Sequence, residues 1–164
     1  MSLDPLWKWF ETSQVGASVS RSPWMFPAIE TVHVIAIALV VGSIAVLDLR
    51  LLDRSWRIRA VTELTLDVLP WTWSSFSIAV ATGFLMFTSA ATKYAHDIPF
   101  RLKMVLLVLA GVNMIVFHRF TYRTVVSWDQ DTPTPRAAKI AGGLSLLFWI
   151  GIVACGRWVG FTTQ

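Results

Sequence analysis

Residues 24–51 read WMFPAIETVHVIAIALVVGSIAVLDLRL, an apolar run with few ionisable side chains. A helix rises about 1.5 Å per residue, so about 20 apolar residues are enough to cross the hydrocarbon layer of a bilayer, which is about 30 Å thick. Inside lipid, a backbone can satisfy its own N–H and C=O groups only as a helix or as a closed barrel. The run therefore predicts a transmembrane helix.

Three further runs of this kind follow, over residues 69–92, 99–120 and 138–159. The four runs together predict a transmembrane domain over residues 23–164. Because the connections between them are short, neighbouring helices are expected to be antiparallel. Residues 1–22 differ, because Trp7 and Phe10 alternate there with Lys8 and Glu11, which indicates an amphipathic helix in the membrane interface. The predicted fold class is all-α: an integral membrane four-helix bundle with an N-terminal interfacial amphipathic helix.

The overall composition agrees with a membrane protein. Of the residues, 55% are hydrophobic and 15% are charged, whereas about a quarter of the residues of a soluble protein are charged. The net charge of +4 does not indicate a nucleic-acid partner, because Lys and Arg stand at the ends of the apolar runs. The predicted partner is therefore the lipid bilayer.

The distribution of Lys and Arg predicts the orientation. Near the span ends, eight lie on the side of the first and third connections and six on the other side. Since cytoplasmic loops carry the excess of positive charge, both termini are expected outside the cytoplasm. The eight are Arg50, Arg54, Arg57, Arg59, Arg119, Arg123, Arg136 and Lys139; the six are Lys8, Arg21, Lys93, Arg101, Lys103 and Arg157.

Ionisable groups within the spans are candidate functional residues, because they are costly in lipid. His33 lies nine residues beyond Trp24, hence roughly 13 Å into the first span. A neutral imidazole at this depth is suited to haem ligation. Glu30, at i−3 on the same helix face, could hold the other ring N–H, carry protons or meet a quinone. The alternative interpretation of His33 is a hydrogen bond that joins two helices.

A second ligand has to lie at the depth of His33. His118 ends the third span on the other side, so the two histidines differ in height by roughly 14 Å, and His118 is more simply an interfacial anchor. His96, in the outer connection, and Lys103, at the start of the third span, lie in the same half as His33. We expect His96 or Lys103 to complete the iron coordination, with His118 as a further alternative. A solvated loop histidine and a snorkelling lysine are the competing interpretations.

Two further residues are candidates for contact with a cofactor. Gly83 lies inside the second span, where the missing side chain permits close approach of a helix or of a flat macrocycle. Trp149 lies in the middle of the fourth span rather than at an interface. This position is typical of a ring beside a cofactor or of a residue in the hydrophobic core.

The spans also share a sparse pattern. It comprises Val32-His33, Gly42 and Asp48-Leu-Arg50-Leu-Leu, then Pro70 and Gly83-Phe-Leu-Met, then Phe100-Arg-Leu-Lys103-Met and Phe117-His118-Arg119. This pattern, over residues 24–160, resembles a group of small bacterial four-helix membrane proteins that includes the HemJ-like proteins and the CopD-like copper-resistance domains. The resemblance implies a bacterial inner membrane, in which the Lys and Arg distribution would put both termini in the periplasm.

The HemJ-like resemblance implies a b-type haem and oxygen-independent oxidation of protoporphyrinogen. The characteristic first-helix His and third-helix Lys of that group would map to His33 and Lys103. The CopD-like resemblance implies copper handling, but here five Met and one Cys form no cluster, whereas copper trafficking favours grouped soft ligands.

The leading hypothesis is a membrane protein that binds haem b and transfers electrons within the membrane. It would be the anchor or electron-accepting subunit of a redox complex, with a protein partner, an oligomer or a quinone, rather than a free-standing enzyme. The alternatives are a HemJ-like protoporphyrinogen oxidase, a cofactor-free structural subunit and CopD-like copper handling.

Overall fold

A computed structural model describes residues 3–53, 59–129 and 132–162 of the chain. Arg54 and Arg57, which contribute to the predicted orientation, lie outside the described residues. Seven α-helices are described, and α6 is followed by a π turn (Phe117–Thr121) and a 3-10 helix (Tyr122–Ser127). The α-helices are α1 (Asp4–Thr12), α2 (Gln14–Arg21), α3 (Met25–Leu51), α4 (Val61–Ser89), α5 (Ala91–His96), α6 (Ile98–Val116) and α7 (Arg136–Thr162).

Four of these helices, α3, α4, the α6 segment and α7, are long and apolar enough to cross a membrane. The predicted all-α four-helix fold is thereby confirmed. Large apolar side chains point outward along all four spans, such as Ile35, Val80, Val108 and Ile150, which are each more than half exposed. An outward-facing apolar surface of this kind is stable in lipid and not in water. The chain is a multi-pass membrane protein.

The four spans pack in the order α4, α3, α7, α6, with α3 and α7 joining the two outer helices. Val40, Trp149 and Ile152 form the middle of the core. Gly142 on α7 permits the crossing with α3, because a Cβ there would lie 3.1 Å from the carbonyl oxygen of Asp48. The missing side chain thus sets how closely the two central helices approach.

The two ends of the bundle differ. We call the end that carries the α3–α4 and α6–α7 connections the connector end, and the end that carries α1, α2, α5 and the C-terminus of α7 the terminal end. At the terminal end, Gly16 of α2 touches α4, since a Cβ there would lie 2.6 Å from the carbonyl oxygen of Thr88. Trp7 packs edge-on against Phe87. The N-terminal helices therefore pack on the bundle.

A buried arginine joins the two connections of the connector end. Arg50, 2% exposed, donates from Nε to the Arg59 carbonyl at 3.0 Å and from Nη2 to the Asp129 carbonyl at 2.9 Å. Helix α3 stops beside it because Asp53 adopts a left-handed conformation, with φ of 56°, a common way to end a helix. The Asp53 carboxylate accepts from Thr134 at 2.7 Å and lies 2.6 Å from Lys139 Nζ.

Helix α4 begins at Val61, eight residues before the predicted start of the second span. Its first turns carry Glu63 on the exposed side and bury Val61 and Leu64, so this part is amphipathic rather than uniformly apolar. The Asp129 carboxylate accepts from the backbone N–H of Thr62 at 2.9 Å and from its hydroxyl at 2.5 Å. A carboxylate at a helix N-terminus accepts from the free N–H groups and interacts favourably with the helix dipole. Asp129 therefore stabilises the first turns of α4.

Candidate functional site

His33 lies at the contact between α3 and α4, in the half of the bundle nearer the terminal end. Its Nδ1 is 2.9 Å from the hydroxyl oxygen of Thr82. The ring also lies against Gly83, because a Cβ at that position would be 2.9 Å from His33 Cε1. The space that the glycine leaves is thus occupied by the imidazole itself.

The hydrogen bonds of Thr82 favour one tautomer of His33. The Thr82 hydroxyl lies within donating distance of the Ile78 carbonyl at 2.7 Å. With the hydroxyl proton directed there, its oxygen accepts from His33, and Nδ1 is the protonated nitrogen of a neutral ring. In this tautomer His33 Nε2 carries a lone pair, which can bind a metal ion or accept a proton.

Lys103 enters the same region from α6. Its side chain lies along α7, where a Cβ at Gly156 would be 3.7 Å from Nζ. The ammonium interacts electrostatically with His33 and with Cys155. Since Thr82 and Gly83 belong to α4, all four spans contribute to one place. We call this group the His33–Lys103 site: His33, Thr82, Gly83, Lys103, Cys155 and Gly156.

Glu30 and Trp149 take other positions. Glu30 lies on α3 one turn from His33 but is exposed, and Thr82 rather than Glu30 holds the Nδ1 proton of His33. Trp149 is 9% exposed and packs with Val40 and Ile152 in the core. Trp149 was interpreted as a ring beside a cofactor or as a core residue, and these contacts match the core residue.

His96 ends α5 at the surface of the terminal end. Its Nδ1 is 2.8 Å from the Thr92 carbonyl, and its Nε2 is 3.4 Å from a carboxylate oxygen of Asp4. The His96 side chain is 66% exposed. These contacts join α5 to α1, and of the two residues expected beside His33 the structure brings only Lys103 to it.

His118 lies in the π turn at the connector end. Its Nδ1 is 2.9 Å from the Met114 carbonyl, and its ring packs against Phe117 and Tyr122 with centroids 5.4 and 5.3 Å away. The residue is exposed. Its place at the far end of α6 agrees with the difference in height expected from the sequence.

Two members of the site did not stand out in the sequence. Thr82 immediately precedes Gly83 and reads as an ordinary polar residue of a span, and Gly156 follows Cys155 in a run of small residues. Their roles depend on which residue of a neighbouring helix lies opposite. In the described part of the chain, no three His, Cys, Asp or Glu side chains gather as a metal-ligand group.

Comparison with known proteins identifies the family of the chain. The model of a family of unknown function, DUF6644, matches residues 6–162. No curated protein and no solved structure matches the chain. The matched region contains all four membrane helices, the His33–Lys103 site and most of α1. The chain therefore belongs to the DUF6644 family.

Proposed function

We propose that the protein binds haem b at the His33–Lys103 site and transfers electrons within the membrane. The observation that carries this proposal is the hydrogen bond from His33 Nδ1 to Thr82. This contact favours the tautomer whose Nε2 lone pair can bind iron, and metal-ligating histidines are commonly held in this way through their other ring nitrogen.

The donor set fits a haem. A porphyrin supplies four of the iron's ligands, so the protein has to provide one or two axial groups. Were haem bound, His33 Nε2 would be the group that holds its iron, and the Lys103 ammonium from α6 would place a positive charge beside it. When bound, the haem supplies reversible one-electron transfer. Thr82 orients the imidazole, and the surrounding spans exclude water from it.

The chain acts in this proposal as an anchor or electron-accepting subunit in a bacterial inner membrane. The electron partner is a second protein or a membrane quinone, and the terminal end faces the periplasm. The Lys and Arg distribution supports this orientation. A reporter enzyme that is active only in the periplasm, fused after residue 164, should be active; activity of a cytoplasmic reporter at the same position would reverse the orientation.

The absorption spectrum tests the haem. Purified protein, expressed with adequate haem, should show a Soret band and a reduced-minus-oxidised difference spectrum. His33→Ala should abolish both, and Thr82→Val should lower haem occupancy while leaving the protein folded. His118→Ala is the matched control, because this histidine lies at the other end of the bundle, and it should leave the spectrum unchanged. A protein without a Soret band, even after reconstitution, overturns the proposal and leaves a cofactor-free subunit.

A second candidate function is protoporphyrinogen oxidation of the HemJ-like kind. The electrostatic interaction of Lys103 with His33 favours it, since the resemblance assigns its characteristic His and Lys to these two positions. An ammonium beside the site is also suited to hold a carboxylate of a porphyrin substrate. The gene should then rescue a strain that lacks protoporphyrinogen oxidase, and Lys103→Met should not. Failure of the wild-type gene despite good expression excludes this activity.

A further inference from the structure

The connector end carries a basic groove that the His33–Lys103 site does not use. It is a shallow surface groove of about 280 Å³ at the end of α6, and it is lined by Met114, Ile115, His118, Arg119 and Arg123. We call it the basic groove. Nothing in the proposed electron transfer requires these residues, which lie on the last turn of α6 and on the π turn and 3-10 helix that follow it.

The helical spacing explains why these side chains converge. Ile115, Arg119 and Arg123 follow one another at intervals of four, as do Met114 and His118, and all five line the groove. The π turn at Phe117–Thr121 interrupts the regular α-helix at this level. Such turns are frequent at functional sites.

The charge of the groove is not balanced within the described part of the chain. Arg119 and Arg123 are both exposed and form no ion pair with the described residues. Elsewhere at the same end, Arg59 pairs with Glu63 at 3.0 Å and Lys139 with Asp53 at 2.6 Å. Both guanidinium groups line the same groove, where their like charges repel each other. A bound anion would remove this repulsion.

The surroundings of the groove are apolar on the side toward the middle of the span. Val112, Ile115 and Val116 are 50%, 61% and 49% exposed on α6, where they face the hydrocarbon layer. Phe120, in the π turn, is 71% exposed. A ligand that fills the groove and continues along this face needs an anionic head and an apolar body.

We propose that the basic groove binds the phosphate headgroup of an anionic phospholipid, whose acyl chains lie along the exposed face of α6. Guanidinium groups match phosphate oxygens through paired N–H donors. The Nδ1 proton of His118 is donated to the Met114 carbonyl, so the two arginines supply the donors to the phosphate. Basic pockets at the ends of membrane helices are suited to such headgroups.

Lipid binding to the purified protein in detergent tests this proposal. The apparent Kd for phosphatidylglycerol is measured by native mass spectrometry and compared with that for phosphatidylcholine, whose headgroup carries no net charge. The variants are Arg119→Gln/Arg123→Gln, the charge-preserving Arg119→Lys/Arg123→Lys, and Arg136→Gln, which removes another exposed basic residue of the connector end. Competition by inorganic phosphate distinguishes a lipid site from a site for free anions.

Wild-type protein should prefer phosphatidylglycerol by at least about tenfold. The double Gln variant should bind it about 30-fold more weakly, since each basic residue near an anionic lipid contributes roughly fivefold. The double Lys variant should retain most of the preference, and Arg136→Gln should match the wild type. Should the double Gln variant not fold, the lipid preference and the phosphate competition still decide. Equal affinity for both lipids or unchanged binding by the double Gln variant would overturn the proposal. So would displacement of bound phosphatidylglycerol by inorganic phosphate at concentrations as low as those at which the lipid itself binds.

Discussion

The imidazole of His33 fills the space that a side chain at Gly83 would need, with Cε1 at 2.9 Å from the position of a Cβ there. Helices α3 and α4 therefore approach each other at the ring that carries the proposed ligand. The same contact brings the ring to Thr82 at 2.9 Å. Packing and ring orientation are consequently coupled at this point.

Gly83→Ala should displace the His33 ring and break its hydrogen bond to Thr82. We expect a loss of about 1–3 kcal/mol of stability, typical of an overpacked core, together with lower haem occupancy. Unfolding in detergent and the Soret absorbance per protein measure the two effects. Gly111→Ala is the control, because a Cβ there meets no atom within 4 Å and reports only the helix propensity of alanine. Equal stability of the two variants would contradict the close contact.

Lys103→Met should lower the reduction potential of the bound haem. The positive charge of Lys103 acts on His33, and a cation near the iron favours the reduced state. Two charges about 10 Å apart interact by about 1–2 kcal/mol at an effective dielectric constant of about 20, which predicts a decrease on the order of tens of millivolts. Redox titration of the α band measures it. Arg101→Gln, an exposed cation two residues away, should leave the potential within experimental error.

Arg50→Ala should destabilise the connector end strongly. Its guanidinium is buried and donates to the carbonyls of Arg59 and Asp129, and loss of such a group typically costs about 3–5 kcal/mol. Arg50→Lys should recover little of this, because one ammonium cannot span both carbonyls. Unfolding by a denaturing detergent provides the measurement.

The control for Arg50 is Arg59→Gln. The Arg59 side chain is 43% exposed in its ion pairs with Glu63 and Asp67, and its backbone carbonyl still accepts from Arg50 after the substitution. Exposed pairs contribute about 0–1 kcal/mol. If Arg50→Ala is no more destabilising than Arg59→Gln, the buried arginine does not hold the two connections together.

The number of spans was predictable from the sequence, whereas the start of α4 was not. A spanning helix has to match the thickness of the hydrocarbon layer, so the apolar run over residues 24–51 predicts α3 (Met25–Leu51) closely. The first turns of α4 lie beyond the apolar run and include Glu63 and Asp67. Their N-terminal partner, Asp129, is 67 residues away in the chain, and no local pattern indicates it.

The depth of the candidate site in the membrane was predictable from the sequence, whereas its side-chain contacts were not. Antiparallel spans and the helix rise place His33 and Lys103 in one half, and Lys103 acts electrostatically on His33. Glu30, which shares a helix face with His33, was one candidate for holding the His33 N–H, and the structure places Thr82 of α4 beside Nδ1 instead. Which residues of two helices lie opposite each other depends on side-chain packing between the helices, and hydropathy does not record it.

Gly16→Ala should detach the N-terminal helices from the terminal end. A Cβ at Gly16 would lie 2.5 Å from the Phe10 carbonyl oxygen and 2.6 Å from that of Thr88. Both are backbone atoms that cannot rotate away, so α2 has to move from α4. The neighbouring contacts, Val19 at 1% exposure and the hydrogen bond from the Thr92 N–H to Glu11 at 2.8 Å, depend on the same approach.

Limited proteolysis and hydrogen exchange of α1 and α2 measure this detachment. We expect faster cleavage and faster exchange in Gly16→Ala, with the four spans still protected by detergent or lipid. Gly42→Ala serves as the control, because its Cβ would meet no atom within 4 Å. The haem spectrum should change little, since the His33–Lys103 site is built by the four spans alone. Unchanged exchange in α1 and α2 would show that the segment does not rely on the contact between Gly16 and Thr88.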